Sequence, residues 1–462
     1  MTGADAQAVA IAAAVRARRV SAREVVAAAL ARIAQRDRVL NCFTHVAGDA
    51  ALAEAERLDA RVAAGQDPGP LAGVPFAVKN LFDVAGVITL AGSKIHADRP
   101  PAARDATAVA ALRRAGAVMV GALNMDEYAY GFTTENTHYG PTRNPHDSSR
   151  VPGGSSGASA AAVAGGLVPL TLGTDTNGSI RVPAALCGTF GLKPTYGRVS
   201  RAGVALFAAA FDHVGPFARS VADLAAAFDV IQGPDPADPV CADRPAEACA
   251  PQVGRGIEGL RIAILGGHFA SQGTEEALAA VARVARALGA TRQVTLPEPH
   301  RARAAAMIIT ASEGSNLHLG DLRTRAKDFD PLTRDRFLAG ALLPAPLYVQ
   351  AQRFRAWYRA RVAEVFGDVD VLLAPTTPWS APPIGAPPTM PVGGVDVFTR
   401  SHLGVFTQPL SFIGLPVISI PVTAPGALPL GVQLVAAPFQ EASLFRVAAH
   451  LEAAGIVSAP VA

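Results

Sequence analysis

The stretch Gly153-Gly-Ser-Ser-Gly-Ala-Ser159, followed by Thr174-Asp-Thr-Asn-Gly-Ser-Ile-Arg181, is the most informative part of this sequence. Both runs lie between Val151 and Pro194, a segment rich in Gly, Ser and Thr that contains few charged residues. A solvated linker would carry more charge, whereas closely packed backbone favours small residues. We therefore expect this segment to fold tightly around a chemical centre.

Outside this segment, strand and helix patterns alternate along the chain. Residues 5–64 are Ala-rich and helical in pattern, and Ser21 with Glu24 forms a capping-box signature. Residues 233–256 indicate a long surface connection. The alternation predicts an α/β protein. Strands are predicted at 71–79, 118–123, 260–265, 370–375 and 415–421, and helices at 106–115, 274–290 and 444–454.

Composition excludes several classes of function. The chain has 462 residues, 50% hydrophobic and 17% charged, so a sizeable core is expected. The net charge of +3, without runs of like charge, argues against binding nucleic acid or anionic membrane. No export signal, membrane span, metal-ligand spacing or cofactor motif is recognised. Four cysteines without CxxC spacing favour reduced thiols and a cytoplasmic location.

Lysine is rare in this chain, which makes each lysine informative. Of the 41 basic residues, only Lys79, Lys94, Lys193 and Lys327 are lysines. Arginine serves wherever a generic cation is needed, but arginine cannot give up its proton. A retained lysine is therefore a candidate for a position that needs a neutral amine, although chance retention explains it as well.

Amide hydrolysis needs a nucleophile, a group that moves its proton and donors for an oxyanion, and the Gly-rich segment offers all of these except the base. Ser179 follows Asn177-Gly178, where consecutive backbone N–H groups can converge. Gly153-x-Ser155-x-Gly157 instead matches the nucleophile elbow of α/β-hydrolases, and histidines follow downstream. A phosphate-binding loop is disfavoured, since no Gly-Lys-Ser/Thr follows the glycines. The residues alone leave both serines open, and a structural role for either.

Several long motifs together resemble the amidase signature family. Residues 153–181 with 187–194 are similar to the family's defining stretch. The similarity extends, in the family's order, to 73–80, 124–128 through 144–145, 370–378 and 414–416. The resemblance implies a large mixed central β-sheet covered by helices on both faces. It also implies one domain, 1–462, with an N-terminal helical segment (1–65), a catalytic core (66–220) and a remainder that completes sheet and pocket (221–462).

The resemblance also assigns the site. Carried over by motif, the nucleophile is Ser179, the cis-peptide serine that relays its proton is Ser155, and the general base is Lys79. Lys79 can act as a base near neutral pH only if its pKa falls about three units below the usual value of about 10.4. The oxyanion would be held by the N–H groups of Thr176, Asn177, Gly178 and Ser179, with support from Ser156, Asp175 and Arg181.

Two departures from the family pattern concern the pocket. Ala158 and Asn177 each stand where the family usually has glycine. Neither change removes a group that the family assigns to catalysis, so we expect them to affect which amides are accepted.

Within the family, residues 315–331 and 336–342 resemble the carboxybiuret hydrolases, and the Arg-Tyr-Asp-Gly stretch typical of glutamine-hydrolysing amidotransferase subunits is missing. This implies a small anionic amide as substrate, with Arg323 or Arg325 to bind its carboxylate. A position on a solvated helix face is the more common role for an arginine such as either of these. The resemblance further implies a small helical partner subunit, and assembly as a homodimer or heterotetramer. The alternatives are the glutamine-hydrolysing subunit of a tRNA-dependent amidotransferase and a general small-amide amidase.

Overall fold

The computed structural model describes residues 1–462. Its strands are β1 (Phe43–Val46), β2 (Pro75–Lys79), β3 (Val118–Leu123), β4 (Glu135–Asn136), β5 (Gly140–Pro141), β6 (Leu170–Asp175), β7 (Phe190–Lys193), β8 (His213–Ala218), β9 (Ile262–Leu265), β10 (Gln293–Val294), β11 (Val371–Pro375), β12 (Thr389–Val392), β13 (Val395–Phe398), β14 (Val417–Val422) and β15 (Leu430–Ala436).

The helices are α1 (Ala8–Arg16), α2 (Ala22–Leu40), α3 (Gly48–Ala63), α4 (Thr107–Arg114), α5 (Gly157–Ala164), α6 (Arg181–Cys187), α7 (Val221–Ile231), α8 (His268–Ser271), α9 (Glu275–Ala287), α10 (Pro299–Leu317), α11 (Leu319–Thr324), α12 (Pro331–Ala341), α13 (Ala345–Val365), α14 (Thr399–His402), α15 (Gln408–Ser411) and α16 (Glu441–Ala453).

Eleven of the strands form one mixed sheet in the order β1-β3-β2-β6-β8-β7-β14-β15-β11-β9-β10. β2 runs parallel to β3 and β6, and β9 runs parallel to β10 and β11, whereas the remaining pairs are antiparallel. The predicted mixed sheet is confirmed. Strands from residues 66–220 and 221–462 pair through β7 and β14, which supports our proposal that the chain is one domain.

Helices cover both faces of this sheet. Alternate residues of a strand point to opposite faces. On β11, Val371 and Leu373 join the larger hydrophobic cluster, whereas Leu372 and Ala374 join a second cluster built with α10 and α13. Strands covered on both faces have no polar side to present, which explains why β3, β11 and β14 are buried along their whole length.

The predicted elements are found, with small shifts at their ends. The capping box of α2 is present, since Glu24 N–H donates to Ser21 Oγ (3.1 Å) and Ser21 N–H donates to Glu24 Oε2 (2.9 Å). β2 begins at Pro75 and not at residue 71, because Gly73 has φ +72° and turns the chain before the strand. The short edge strand β1 was not predicted, and it interrupts the helical region 5–64.

The parallel pair β2 and β6 brings two segments with candidate site residues to one edge of the sheet. β2 ends at Lys79 and β6 ends at Asp175, and the two strands pair in register through Val78 and Leu172. The carboxyl ends of parallel strands meet at the same edge, where ligands commonly bind. The Gly-rich turns before α5 and α6 lie at this edge as well.

Candidate active site

Lys79, the last residue of β2, is fully buried. Its Nζ donates to Ser155 Oγ at 2.6 Å and to Thr174 Oγ1 at 3.0 Å. Both partners are hydroxyls, so no carboxylate directly neutralises the amine. The amine is therefore held against the serine that the resemblance to the amidase signature family placed beside it.

The charge state of Lys79 follows from this environment. Burial disfavours the ammonium form and lowers the pKa of Lys79 to about 7, although the negative charges of Asp126, Asp212 and Asp175 oppose the shift. A lysine with a pKa near 7 is about half neutral at neutral pH. A neutral amine can accept a proton from the hydroxyl 2.6 Å away.

Ser155 lies in the turn that precedes α5, and its peptide bond to Gly154 is cis. At Gly154 the surrounding backbone is packed so closely that no side chain would fit. A Cβ on Gly154 would lie 2.2 Å from Asp126 Oδ2 and 2.5 Å from the backbone N of Thr133. The requirement for glycine at this position is therefore steric.

Thr134 holds the two ends of the Ser155 turn, a role that the sequence analysis missed. Its Oγ1 donates to the carbonyl of Gly153 (2.8 Å) and accepts from the N–H of Gly157 (3.1 Å). Thr134 has φ +56°, which is unfavourable for a β-branched residue, and its N–H donates to Asp126 Oδ2 at 3.0 Å. Residues 124–128 had matched the family as a motif, but nothing in that motif pointed to Asp126 or Thr134 individually.

Ser179 lies between β6 and α6, at the wall of a cavity, and is 3% exposed. The preceding Gly178 has φ +139°, and a Cβ there would lie 2.3 Å from Thr407 Oγ1. Ser156 N–H donates to the carbonyl of Ser179 at 3.3 Å, which joins the two Gly-rich turns. The structure thus brings Ser179 next to the Lys79–Ser155 pair.

Three of the four predicted oxyanion donors are free. The N–H groups of Thr176, Asn177 and Ser179 make no hydrogen bond within the protein. The N–H of Gly178 instead donates to Asp175 Oδ1 at 2.7 Å. The Gly178 N–H is therefore not available to an oxyanion, because it is used to bind the Asp175 carboxylate within the turn.

Asp175 and Arg181 form a fully buried ion pair. Arg181 Nε donates to Asp175 Oδ2 at 2.9 Å and Arg181 Nη2 donates to Oδ1 at 3.0 Å. Burial alone would raise the pKa of Asp175, but the adjacent guanidinium holds it well below its usual range. Arg181 also donates to Gln433 Oε1 (2.7 Å) and to Ser411 Oγ. The pair fixes the Ser179 turn to the sheet and does not line the cavity.

Ser156 supports the same framework. Its Oγ donates to the carbonyl of Thr174 (3.0 Å) and accepts from the N–H of Thr174 (3.2 Å). Because the Ser156 hydroxyl both donates a hydrogen bond to β6 and accepts one from it, its position fits a structural role.

The cavity beside Ser179 has a volume of about 350 Å³. One wall is formed by the Ser179 turn and the other by α10 and α12, with Met307 and Arg336. A second cavity of about 330 Å³ shares the wall formed by Tyr130, Phe132 and Arg336. The size of the first cavity suits a small substrate.

Arg323 and Arg325 do not line either cavity. Arg323 is exposed on α11, and Arg325 forms ion pairs with Asp98 (3.1 Å) and Asp328 (2.9 Å). The arginine that does line both cavities is Arg336, which the sequence analysis had not singled out.

No group of three or more His, Cys, Asp or Glu residues is arranged to hold a metal ion. None of the helices combines the length and apolar character needed to cross a membrane.

The buried lysine, the two serines and the mixed sheet are the features of amide-hydrolysing enzymes with a serine nucleophile. The Amidase family model matches residues 24–445, and the chain belongs to this family. It is a hydrolase that acts on amide C–N bonds.

Individual relatives are more specific. The chain is 54% identical to AtzE, a 1-carboxybiuret hydrolase subunit of Pseudomonas sp. (strain ADP), over 95% of this chain and 96% of that protein. It is 42% identical to a glutamyl-tRNA(Gln) amidotransferase subunit of Chloroflexus aurantiacus, over 93% of this chain and 92% of that one. An inhibitor-bound structure of an s-triazine catabolic enzyme, described as part of a vestigial protein complex, superposes with a TM-score of 0.97 at 51% identity, covering 98% of this chain and 99% of that one.

Proposed function

We propose that this protein hydrolyses 1-carboxybiuret to urea-1,3-dicarboxylate and ammonia, through an acyl-enzyme on Ser179. The observation that carries the chemistry is the buried Lys79 amine, with a pKa near 7, at 2.6 Å from Ser155 Oγ. The substrate assignment is supported by the 54% identity to a 1-carboxybiuret hydrolase subunit over nearly the whole chain.

In the proposed first step, neutral Lys79 accepts the proton of Ser155 while Ser155 accepts the proton of Ser179. Ser179 Oγ attacks the terminal amide carbon, and the resulting oxyanion is held by the free N–H groups of Thr176, Asn177 and Ser179. The C–N bond then breaks, and the proton held by Lys79 returns through Ser155 to the leaving nitrogen. Ammonia departs and the acyl group stays on Ser179.

In the proposed second step, water takes the place of the amine. It gives its proton through Ser155 to Lys79, attacks the acyl carbon, and the ester bond to Ser179 breaks. The proton returns to Ser179 Oγ, so the enzyme is regenerated and no proton or electron is left over. The sum of both steps is one amide and one water converted to one carboxylic acid and one ammonia.

The second candidate function is glutamine hydrolysis within a tRNA-dependent amidotransferase. It is favoured by the 42% identity to an amidotransferase subunit over 93% of this chain. The lower identity and the sequence of residues 315–342 make it the weaker alternative.

We further propose that the chain assembles as a homodimer or heterotetramer together with a small helical partner subunit. The proposal is supported by the similar s-triazine enzyme structure, which is described as a protein complex. Size-exclusion chromatography with light scattering on the co-expressed proteins tests the assembly, and a monomer without a stably bound partner would contradict it.

All four cysteines are free, which supports a reducing compartment such as the cytoplasm.

The substrate assignment is tested by measuring ammonia release from 1-carboxybiuret, biuret, malonamide, glutamine and an aryl amide. We expect the highest kcat/KM for 1-carboxybiuret, and a higher value for glutamine would overturn the assignment.

The identity of the nucleophile is tested separately by mass spectrometry after reaction with a fluorophosphonate. We expect one covalent adduct, on Ser179, and an adduct on Ser155 would contradict the proposed roles.

A further inference from the structure

The cavity beside Ser179 contains one charged side chain among the residues that line it, Arg336. The remaining lining residues are apolar or carry hydroxyl and amide groups, such as Thr176, Thr310 and Gln408. In such a cavity a single guanidinium sets the preferred charge of the ligand, because it attracts an anionic group and offers neutral amides no equivalent contact.

Arg336 has no carboxylate partner and makes a single hydrogen bond within the protein, a combination that neither of the two neighbouring arginines shares. Arg400, on the wall of the second cavity, is paired with Glu135 at 2.6 Å. Arg303 donates to Gln408 Oε1 (2.7 Å) and to the carbonyl of Ser401 (3.0 Å). Arg336 donates only to the backbone carbonyl of Tyr130, through Nη1 at 2.8 Å. Its charge therefore remains available to a ligand.

The guanidinium of Arg336 is also fixed in place. It lies over the ring of Tyr130 with 3.6 Å between the Cζ atom and the ring centroid, so a cation–π contact and the hydrogen bond to the Tyr130 carbonyl both come from one residue. With Nη1 engaged, Nε and Nη2 remain as a pair of parallel donors, the geometry that binds a carboxylate through two hydrogen bonds.

The helix that carries Arg336 is fastened to the segment that carries Tyr130. Glu127 Oε2 accepts from Asp330 N–H (2.8 Å) and from Thr333 Oγ1 (2.5 Å) at the start of α12. Asp330 caps the helix by accepting from Leu332 N–H at 2.9 Å. Because Glu127 and Tyr130 are three residues apart, these hydrogen bonds connect the start of α12 to the segment that carries the stacking ring. An arginine held in this way loses little conformational entropy when it binds an anion.

The acidic residues of the neighbouring cavity do not compete for Arg336. Glu127 and Asp330 are used in the helix cap, and Glu135 is used by Arg400. Asp126 is buried behind the Ser155 turn, where it accepts from Thr134 N–H.

We propose that Arg336 binds the carboxylate of the substrate and thereby selects acidic amides over neutral ones. It takes the place of Arg323 and Arg325, which lie outside the cavity. This inference rests on the proposed amide hydrolysis at Ser179, but it does not require that the acidic amide be 1-carboxybiuret. The chemical class is a small monocarboxylate with an amide at its other end.

The test compares Arg336→Gln with wild type on two substrate pairs that differ in charge, 1-carboxybiuret with biuret and malonamate with malonamide. We expect kcat/KM for the acidic member of each pair to fall about 100-fold in the variant, mainly through KM, because two charge-assisted hydrogen bonds are lost. The neutral members should change less than threefold. Arg336→Lys, which keeps the charge but not the paired donors, should recover part of the loss.

Two controls separate this role from damage to the site. Arg334→Gln on the same helix, whose arginine pairs with Asp335, and Arg323→Gln should both leave the acidic-to-neutral ratio unchanged. The rate of Ser179 labelling by a neutral fluorophosphonate should be the same in wild type and Arg336→Gln. An unchanged acidic-to-neutral ratio in Arg336→Gln, or an equal loss of labelling and turnover, would overturn the proposal.

The outcome also distinguishes this inference from the substrate assignment. If malonamate is hydrolysed better than 1-carboxybiuret and Arg336→Gln abolishes the preference for malonamate over malonamide, the assignment of 1-carboxybiuret fails while the role of Arg336 stands. If 1-carboxybiuret is the best substrate and Arg336→Gln leaves its KM unchanged, the role of Arg336 fails while the assignment stands.

Discussion

The two walls of the cavity are built differently. The inner wall is formed by the Ser179 turn, and Lys79 and Ser155 lie behind this turn. Lys79, Ser155 and Ser179 are exposed by 0%, 0% and 3%. The outer wall, formed by α10 and α12, contains Met307, which is 44% exposed, and the exposed Arg336. The inner wall is held by buried hydrogen bonds to the sheet, whereas the outer wall consists of helices that are solvated on one side. In the proposed scheme, the reacting groups lie on the buried side of the cavity and the group that selects among amides lies on the accessible side.

This comparison predicts the largest loss of activity for changes at the inner wall. Ser179→Ala and Lys79→Ala should each lower kcat by about 10⁴-fold or more, since groups that act as one unit cannot substitute for one another. Steady-state ammonia release measures the loss, and circular dichroism shows whether the variants remain folded. Ser458→Ala and Lys327→Ala, at exposed positions, serve as matched controls. Activity of folded Lys79→Ala within tenfold of wild type would refute the role of the inner wall.

The next effect concerns the stability of the inner wall. Asp175→Asn leaves Arg181 buried without its carboxylate, and should lower the free energy of unfolding by about 3–5 kcal/mol. Asp370→Asn, which breaks an exposed pair with Arg261, should cost less than about 1 kcal/mol. Urea denaturation compares the two variants. Equal losses would mean that the burial of the Asp175 pair does not contribute to the rigidity of this wall.

A smaller effect is expected for Thr134, which holds the Ser155 turn without touching the proposed reacting atoms. Thr134→Val keeps the shape but loses both hydrogen bonds of the hydroxyl, and should lower kcat by roughly 10- to 100-fold with little change in KM. Thr134→Ser keeps the hydroxyl and should retain most of the activity. If Val and Ser variants have the same kcat, the hydroxyl does not position the turn.

The smallest effect is a shift in the pH profile. Lys79 must be neutral to act as a base, so kcat/KM should fall as the pH drops below about 7, the value to which burial lowers its pKa. Asp126 opposes that lowering. Asp126→Asn keeps the acceptor for Thr134 N–H but removes the charge, so the pKa of Lys79 should fall further and the acidic limb should move to lower pH. The exposed Asp396→Asn should leave the profile unchanged, and a shift of the Asp126→Asn profile to higher pH would contradict this electrostatic account.

The same division explains what could be predicted from the sequence. The residues of the inner wall lie in short contiguous motifs that resemble those of the amidase signature family, so Lys79, Ser155 and Ser179 could be named before the fold was known. The strands could also be located, since β3, β11 and β14 are apolar runs bounded by turn residues. The catalytic roles of Lys79, Ser155 and Ser179 stay predictions until the variants above are measured.

The outer wall could not be predicted in this way. Whether an arginine faces the cavity depends on contacts between residues far apart in the chain. Arg325 is held away by Asp98, whereas Arg336 is placed by Tyr130, 206 residues earlier. The same holds for Thr134, since nothing in the local sequence indicates a threonine with a positive φ that bridges residues 153 and 157.

The scarcity of lysine has a practical consequence for chemical coupling. Lys79 and Lys193 are fully buried, which leaves Lys94 and Lys327 as the exposed lysines, and Lys94 pairs with Asp328, the neighbour of Lys327. Apart from the α-amino group of Met1, an amine-reactive support would therefore attach the folded protein through one small patch. The molecules attached through this patch would share one orientation, and the amine beside Ser155 would not react.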